Sequence, residues 1–214
     1  MELLNNELKT RIIAGAVMAI MVLSALALGG MFFIALVMLA ALQMIREWDA
    51  ININENIMWR MIGLIYVAIP CACLLWLRRE IDGGFLVLTL FLAVWATDIG
   101  AYFAGRIIGG PKLAPAISPN KTWAGLGGGM LAAALITIIA TSFSPYPTTI
   151  GGAVAVGLAI AVLGQVGDLF ESWLKRRAGV KDSGSLIPGH GGLLDRIDGL
   201  ILTTPLFALL VWSA

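Results

Sequence analysis

The stretch IGGAVAVGLAIAVLGQVGDLFESWLKRRAGVKDSGSLIPGHGGLLDRID, residues 150–198, changes character at Asp168. Before that residue the chain is continuously apolar for about the length a helix needs to cross a bilayer. After it come five acidic residues (Asp168, Glu171, Asp182, Asp195, Asp198) and five basic ones (Lys175, Arg176, Arg177, Lys181, Arg196), with the only histidine, His190. The apolar run does not alternate, so it predicts a membrane helix rather than a strand of a β-barrel. So many charges held between two oily segments predict a site for something highly charged, such as a metal–nucleotide complex.

The rest of the 214 residues supports that setting. The chain is 59% hydrophobic and 13% charged, with mean hydropathy +0.92. A water-soluble domain could not bury that much apolar surface, which makes an integral membrane protein the default. A net charge of +1 argues against a nucleic-acid partner. Cys71 and Cys73 lie inside an apolar segment without companion ligands, so neither zinc nor a disulfide framework is implied. The polar opening MELLNNELKT runs straight into membrane segments and does not resemble a cleavable signal.

Spanning helices are predicted near 12–28, 31–46, 58–77, 84–108, 122–142, 150–168 and 197–213. The expectation is an all-α, polytopic membrane protein of about seven transmembrane helices, one integral domain over 1–214. Basic residues mark alternate connections: Lys9 and Arg11, Arg46 and Arg60, Arg106 to Lys121, and Lys175 to Lys181. The positive-inside tendency then puts the N-terminus and the charged loops on the cytoplasmic side. Arg78-Arg79 breaks the pattern. The glycines at 125 and 127–129 suit close helix packing better than a phosphate cradle, since they fit no nucleotide-binding motif.

On a helix Asp168, Ser172 and Lys175 share one face, and Glu171 and Lys175 form an i,i+4 pair. Asp168 follows a long apolar run and would be costly there without a cation. Asp195 and Asp198 are three apart and face one way at the start of the last span. With Asp168 they would make an oxygen-rich Mg²⁺ site, although acids at a helix start also serve as caps. The Pro188–Gly192 turn can offer backbone N–H groups to phosphate. His190 within it suits packing or hydrogen bonding as well as catalysis. Asp98 interrupts an apolar run, and an intramembrane acid is a functional candidate by default. Ser118, Lys121 and Thr122 could meet phosphates at the membrane edge, or form a Pro turn and helix cap.

These residues carry a resemblance. The pattern Ser172-x-Leu174-Lys175-Arg176, four residues, Lys181-Asp182-x-Gly184, two residues, Ile187-Pro188-x-His190-Gly191-Gly192-Leu193-x-Asp195-Arg196-Ile197-Asp198 is similar to the signature of phosphatidate cytidylyltransferases, or CDP-diacylglycerol synthases. Asp98-x-x-Ala101-Tyr102, Ser118-Pro119-Asn120-Lys121-Thr122 and Gly167-Asp168-x-x-Glu171-Ser172 resemble the family's other segments. The catalytic portion is thus about 98–198. Ala124 departs from the acidic or amide residue common at that place.

The resemblance implies transfer of the cytidylyl group of CTP to phosphatidic acid, giving CDP-diacylglycerol and pyrophosphate, at the cytoplasmic face of the inner membrane. It implies Mg²⁺ held by Asp168 and Asp195, with Asp198 as a nearby helper, and it admits a second cation such as K⁺ and a homodimer. Asp168, Ser172, Lys175, Asp195 and Asp198 are expected to be catalytic. Asp98, Ser118, Lys121, Thr122, Arg176, Lys181, Asp182, His190 and Arg196 are expected to contact substrate. A CTP-dependent polyprenol or phytol kinase is the nearest rival and would release CDP instead. An ion-coupled transporter fits the dense basic run less well.

Overall fold

Seven helices follow the apolar runs. In the computed structural model, which describes residues 2–52, 56–144, 146, 148–187 and 191–213, they are α1 (Glu2–Leu28), α2 (Gly30–Ile51), α3 (Ile57–Leu77), α4 (Gly83–Ile107), α5 (Trp123–Thr141), α6 (Ile150–Arg177) and α7 (Leu194–Trp212). Helices are what an apolar solvent demands, because every backbone polar group must be paired within the segment. Five of them, α2 to α6, are long and apolar enough to cross a membrane. The apolar part of α1, Ile12–Leu28, is shorter. α7 carries Asp195, Arg196 and Asp198 in its first turns. A small antiparallel hairpin, β1 (Lys112–Ala114) and β2 (Ser118–Thr122), joins α4 to α5. It stands where only a loop was expected.

Small residues let the helices meet closely, as expected where lipid offers no competing hydrophobic force. α4 and α5 cross at Gly100 and Gly128, where a side chain on Gly128 would run into Ala104 and the Gly100 carbonyl. Gly157 faces Ala134 across α5 and α6, and the Thr137 hydroxyl donates across the same seam to the Ala153 carbonyl at 2.7 Å. Gly167 on α6 lies against the Asp198 carbonyl of α7, and Gly164 lies against Gly199. The glycines at 125, 128 and 129 therefore serve packing.

One core cluster, with Val87, Leu90, Ala93 and Ile160 fully buried, fills the middle of the bundle. A second, with Met44, Trp48, Leu174, Leu194 and Ile201, lies beneath the charged end. Large apolar side chains such as Ile20, Phe32, Leu39, Leu131 and Leu135 point outward, as a lipid-facing surface requires.

Up-and-down connectivity brings the α2–α3, α4–α5 and α6–α7 connections to one end. Arg78, at the other end, is partly buried, and its Nη2 donates to the Leu26 carbonyl at 3.1 Å. It thus ties the end of α3 to the end of α1, which gives Arg78 a structural place at that end.

The α4–α5 crossing predicts an asymmetric response to bulk. Gly128→Leu should destabilise the detergent-solubilised protein by about 1–3 kcal/mol through overpacking, whereas Gly127→Leu, whose position is open, should leave the thermal melt within about 0.5 kcal/mol.

Candidate active site

Two charged clusters lie where α6 meets α7. α6 continues past its apolar run through Arg177, so Asp168, Glu171, Ser172 and Lys175 occupy successive turns of one helix. Lys175 Nζ stands between Glu171 Oε1, at 3.1 Å, and Asp195 Oδ1, to which it donates. The other Asp195 oxygen, Oδ2, accepts from the Ser183 N–H at 2.8 Å, the Ser183 hydroxyl at 2.9 Å and the Gly192 N–H at 2.8 Å. Glu171 is 1% exposed, and the Asp195 side chain 4%.

In the second cluster Lys121, at the end of β2, forms an ion pair with Asp168 Oδ2. Ser172 Oγ donates to Asp168 Oδ1 at 3.3 Å. Asp198 Oδ1 accepts from the Gly199 N–H at 2.7 Å. The tight contact at Gly167 sets Asp198 beside Asp168. Asp98 on α4 lies within electrostatic reach of Asp168, Asp198, Lys121 and Arg196. Lys121 is thus paired with Asp168, and Asp98 and Asp198 lie within electrostatic reach of it.

The remaining expected residues sit around these clusters. Arg176, Lys181, Asp182 and Arg196 are exposed at the mouth, with Arg176 Nη1 donating to the Val180 carbonyl at 3.4 Å. Ser118 opens β2, opposite Ala114. Thr122 takes the capping role that its place before α5 also allowed. It is buried, and its Oγ1 caps α5 by accepting from the Gly125 N–H at 3.0 Å, so its part is to fix the helix start that carries Lys121. His190 lies outside the described residues.

The carboxylates also test the expected metal site. Among the described residues no three His, Cys, Asp or Glu side chains gather as a metal cage. Mg²⁺ does not require one, because it keeps waters and takes one or two carboxylates together with phosphate oxygens. Asp168 and Asp198, hard oxygen donors on adjacent helices, fit that chemistry. Asp195, expected beside Asp168 as a metal ligand, accepts from Lys175, Ser183 and Gly192, as Asp168 does from Ser172 and Lys121. Asp195 thereby ties Lys175 to Ser183 and Gly192.

One residue escaped the sequence reading. Glu47, near the end of α2, is 4% exposed and reaches into the 183–194 segment. The available signal was its place in the stripe Met44-Glu47-Trp48-Ile51, whose spacing predicts one buried face and whose other members are apolar.

Comparisons with known proteins follow the same residues. The sequence model described as the cytidylyltransferase family matches residues 50–214. A phosphatidate cytidylyltransferase of Brucella suis biovar 1 (strain 1330) is 47% identical over 152 residues, which is 71% of this chain and 56% of that protein. The chain thus spans just over half the length of that relative. Phosphatidate cytidylyltransferases of Rickettsia bellii (strain RML369-C) and Rickettsia felis (strain ATCC VR-1525 / URRWXCal2) are 39% and 38% identical. Their alignments cover 94% and 91% of this chain, and 89% and 88% of theirs. The chain belongs to the cytidylyltransferase family.

Asp195 stands in the first turn of α7, ahead of its apolar run. Burial pushes its carboxyl up, but the contact from Lys175 and the N–H groups of Gly192 and Ser183 outweigh this and hold it at about 2. A depressed carboxyl stabilises the fold above its unfolded value near 4 and loses that contribution as pH falls toward 2. Asp195→Asn should therefore cost on the order of 2 kcal/mol at neutral pH, and the gap to wild type should close between about pH 4 and pH 2 in unfolding measurements.

Proposed function

We propose that this chain transfers the cytidylyl group of CTP to phosphatidic acid, yielding CDP-diacylglycerol and pyrophosphate. The observation that carries the proposal is the pair of ammonium groups, Lys121 and Lys175, each held on a carboxylate where α6 meets α7 at one end of an apolar bundle. Family membership and relatives called phosphatidate cytidylyltransferases support the substrate pair.

The chemistry brings two anions together. A phosphate oxygen of phosphatidic acid attacks the α-phosphorus of CTP, and the bond to the β-phosphate oxygen breaks to release pyrophosphate. Positioning and charge neutralisation are the main requirements of phosphoryl-type transfer. The attacking phosphate is already ionised at neutral pH, so no strong base is required. Lys175 and Lys121 are placed to neutralise phosphate oxygens from two sides. Ser172, one turn before Lys175 and bonded to Asp168, is placed to orient one oxygen. Arg176, Lys181, Asp182 and Arg196, and Ser118 on the hairpin, are assigned to the parts of the substrates that stay near water. Asp168 and Asp195, with Asp198 nearby, would hold Mg²⁺ arriving with the triphosphate. When bound, that ion offsets charge on the triphosphate and on the leaving pyrophosphate.

The site lies at the end of the bundle, where a lipid phosphate and a water-borne nucleotide can meet. The basic residues of the α4–α5 and α6–α7 connections support placing that end on the cytoplasmic side of the inner membrane.

Purified protein given CTP, phosphatidic acid and Mg²⁺ should form CDP-diacylglycerol. Asp168→Asn should lower the rate by roughly 10²–10³-fold without changing helical content or elution from a sizing column. Wild-type turnover by this variant would remove Asp168 from the site, and CDP as product would favour a lipid kinase.

A further inference from the structure

We infer that Glu47 is a positioning residue for this reaction, clamping Ser183 and the Gly192–Leu194 turn so that Asp195 and Lys175 are held in place. The inference rests on the cytidylyl-transfer reading above. Glu47 lies ahead of residues 50–214, the part matched by the family model.

The Glu47 carboxylate collects donors from both sides of the site. Oε1 accepts from Gln43 Nε2, one turn earlier on α2, and from the Leu193 N–H, both at 2.9 Å. Oε2 accepts from the Leu194 N–H at 2.8 Å and lies 3.1 Å from the Ser183 hydroxyl. The N–H groups of Leu193 and Leu194 belong to the start of α7, where no earlier turn supplies acceptors. Leu193, the residue preceding the helix, makes no side-chain cap of its own. Glu47 therefore does from another helix what a capping side chain does locally, and its negative charge suits a helix N-terminus.

The loop is shaped around this carboxylate. A side chain at Gly192 would strike the Ser183 hydroxyl and lie 2.6 Å from Glu47 Oε2. One at Gly184 would lie 3.2 Å from Glu47 Cγ and Oε1. The Ser183 hydroxyl, with a single proton, stands between Glu47 Oε2 and Asp195 Oδ2. A chain of contacts thus runs from α2 through Ser183 to Asp195 and on to Lys175. A buried carboxylate needs such donors to be tolerated at all, and removing its charge leaves two helix-start N–H groups facing the wrong partner.

The test compares wild type with Glu47→Gln in detergent micelles, by amide hydrogen exchange without substrates and by steady-state kinetics with CTP, phosphatidic acid and Mg²⁺. Glutamine keeps the shape but turns one acceptor into a donor. Exchange across 183–195 should accelerate by about tenfold or more, while α4 and α5 stay protected. The kcat should fall roughly 10- to 100-fold, with KM for phosphatidic acid within about twofold. Glu47→Asp, which keeps the charge on a shorter arm, should fall between the two and serves if Glu47→Gln does not fold. Unchanged exchange would overturn the clamp. Faster exchange with wild-type kcat would overturn the positioning role, leaving a structural tie only. Absence of CDP-diacylglycerol formation by wild type would sink the reading of the reaction, while the exchange comparison would still decide the clamp.

Discussion

A cation at the edge of a lipid-facing bundle must be held by an anion, and that constraint organises this protein. Lys121 rests on Asp168, and Lys175 on Asp195 and Glu171. Such pairs add little net stability when whole, yet removing one member costs more, because it leaves a partly buried charge uncompensated. The pairs persist because the chain cannot drop one member cheaply. They also set two ammonium groups at fixed places, which a reaction between two phosphates requires before substrate arrives.

The apolar part of the molecule delivers these groups. Gly167 admits the Asp198 carbonyl so closely that α6 and α7 must bring their acidic turns together. Gly100 and Gly128 do the same for α4 and α5, which places Asp98 and the hairpin bearing Lys121 on the same end. Small residues that touch no substrate thus decide where the charges go. The aromatic run of Trp48, Tyr66, Phe170 and Trp173, capped by Arg177 at 4.3 Å over Trp59, packs α2, α3 and α6 beside that end.

Much of this was legible from residue order. The apolar runs located all seven helices, because lipid leaves the backbone almost no other choice. The i,i+4 and i,i+7 spacings placed Asp168, Ser172 and Lys175 on one face. What was hidden depends on partners distant in sequence. Nothing local says that Asp195 spends both oxygens on Lys175, Ser183 and Gly192, or that Glu47 caps a helix 146 residues away. Thr122 offered two readings, and the Gly125 N–H shows that it caps α5. Arg78 seemed misplaced because the Leu26 carbonyl it serves lies two helices earlier. The hairpin before α5 carries too few residues for a period to show.

The direct measurement is to follow phosphorus. CTP labelled separately at the α and γ positions is incubated with the purified protein, phosphatidic acid and Mg²⁺, and lipid and water phases are counted. The account predicts α label in a cytidine-bearing lipid and γ label in aqueous pyrophosphate. Label from the γ position in the lipid, with CDP in the water, would contradict it.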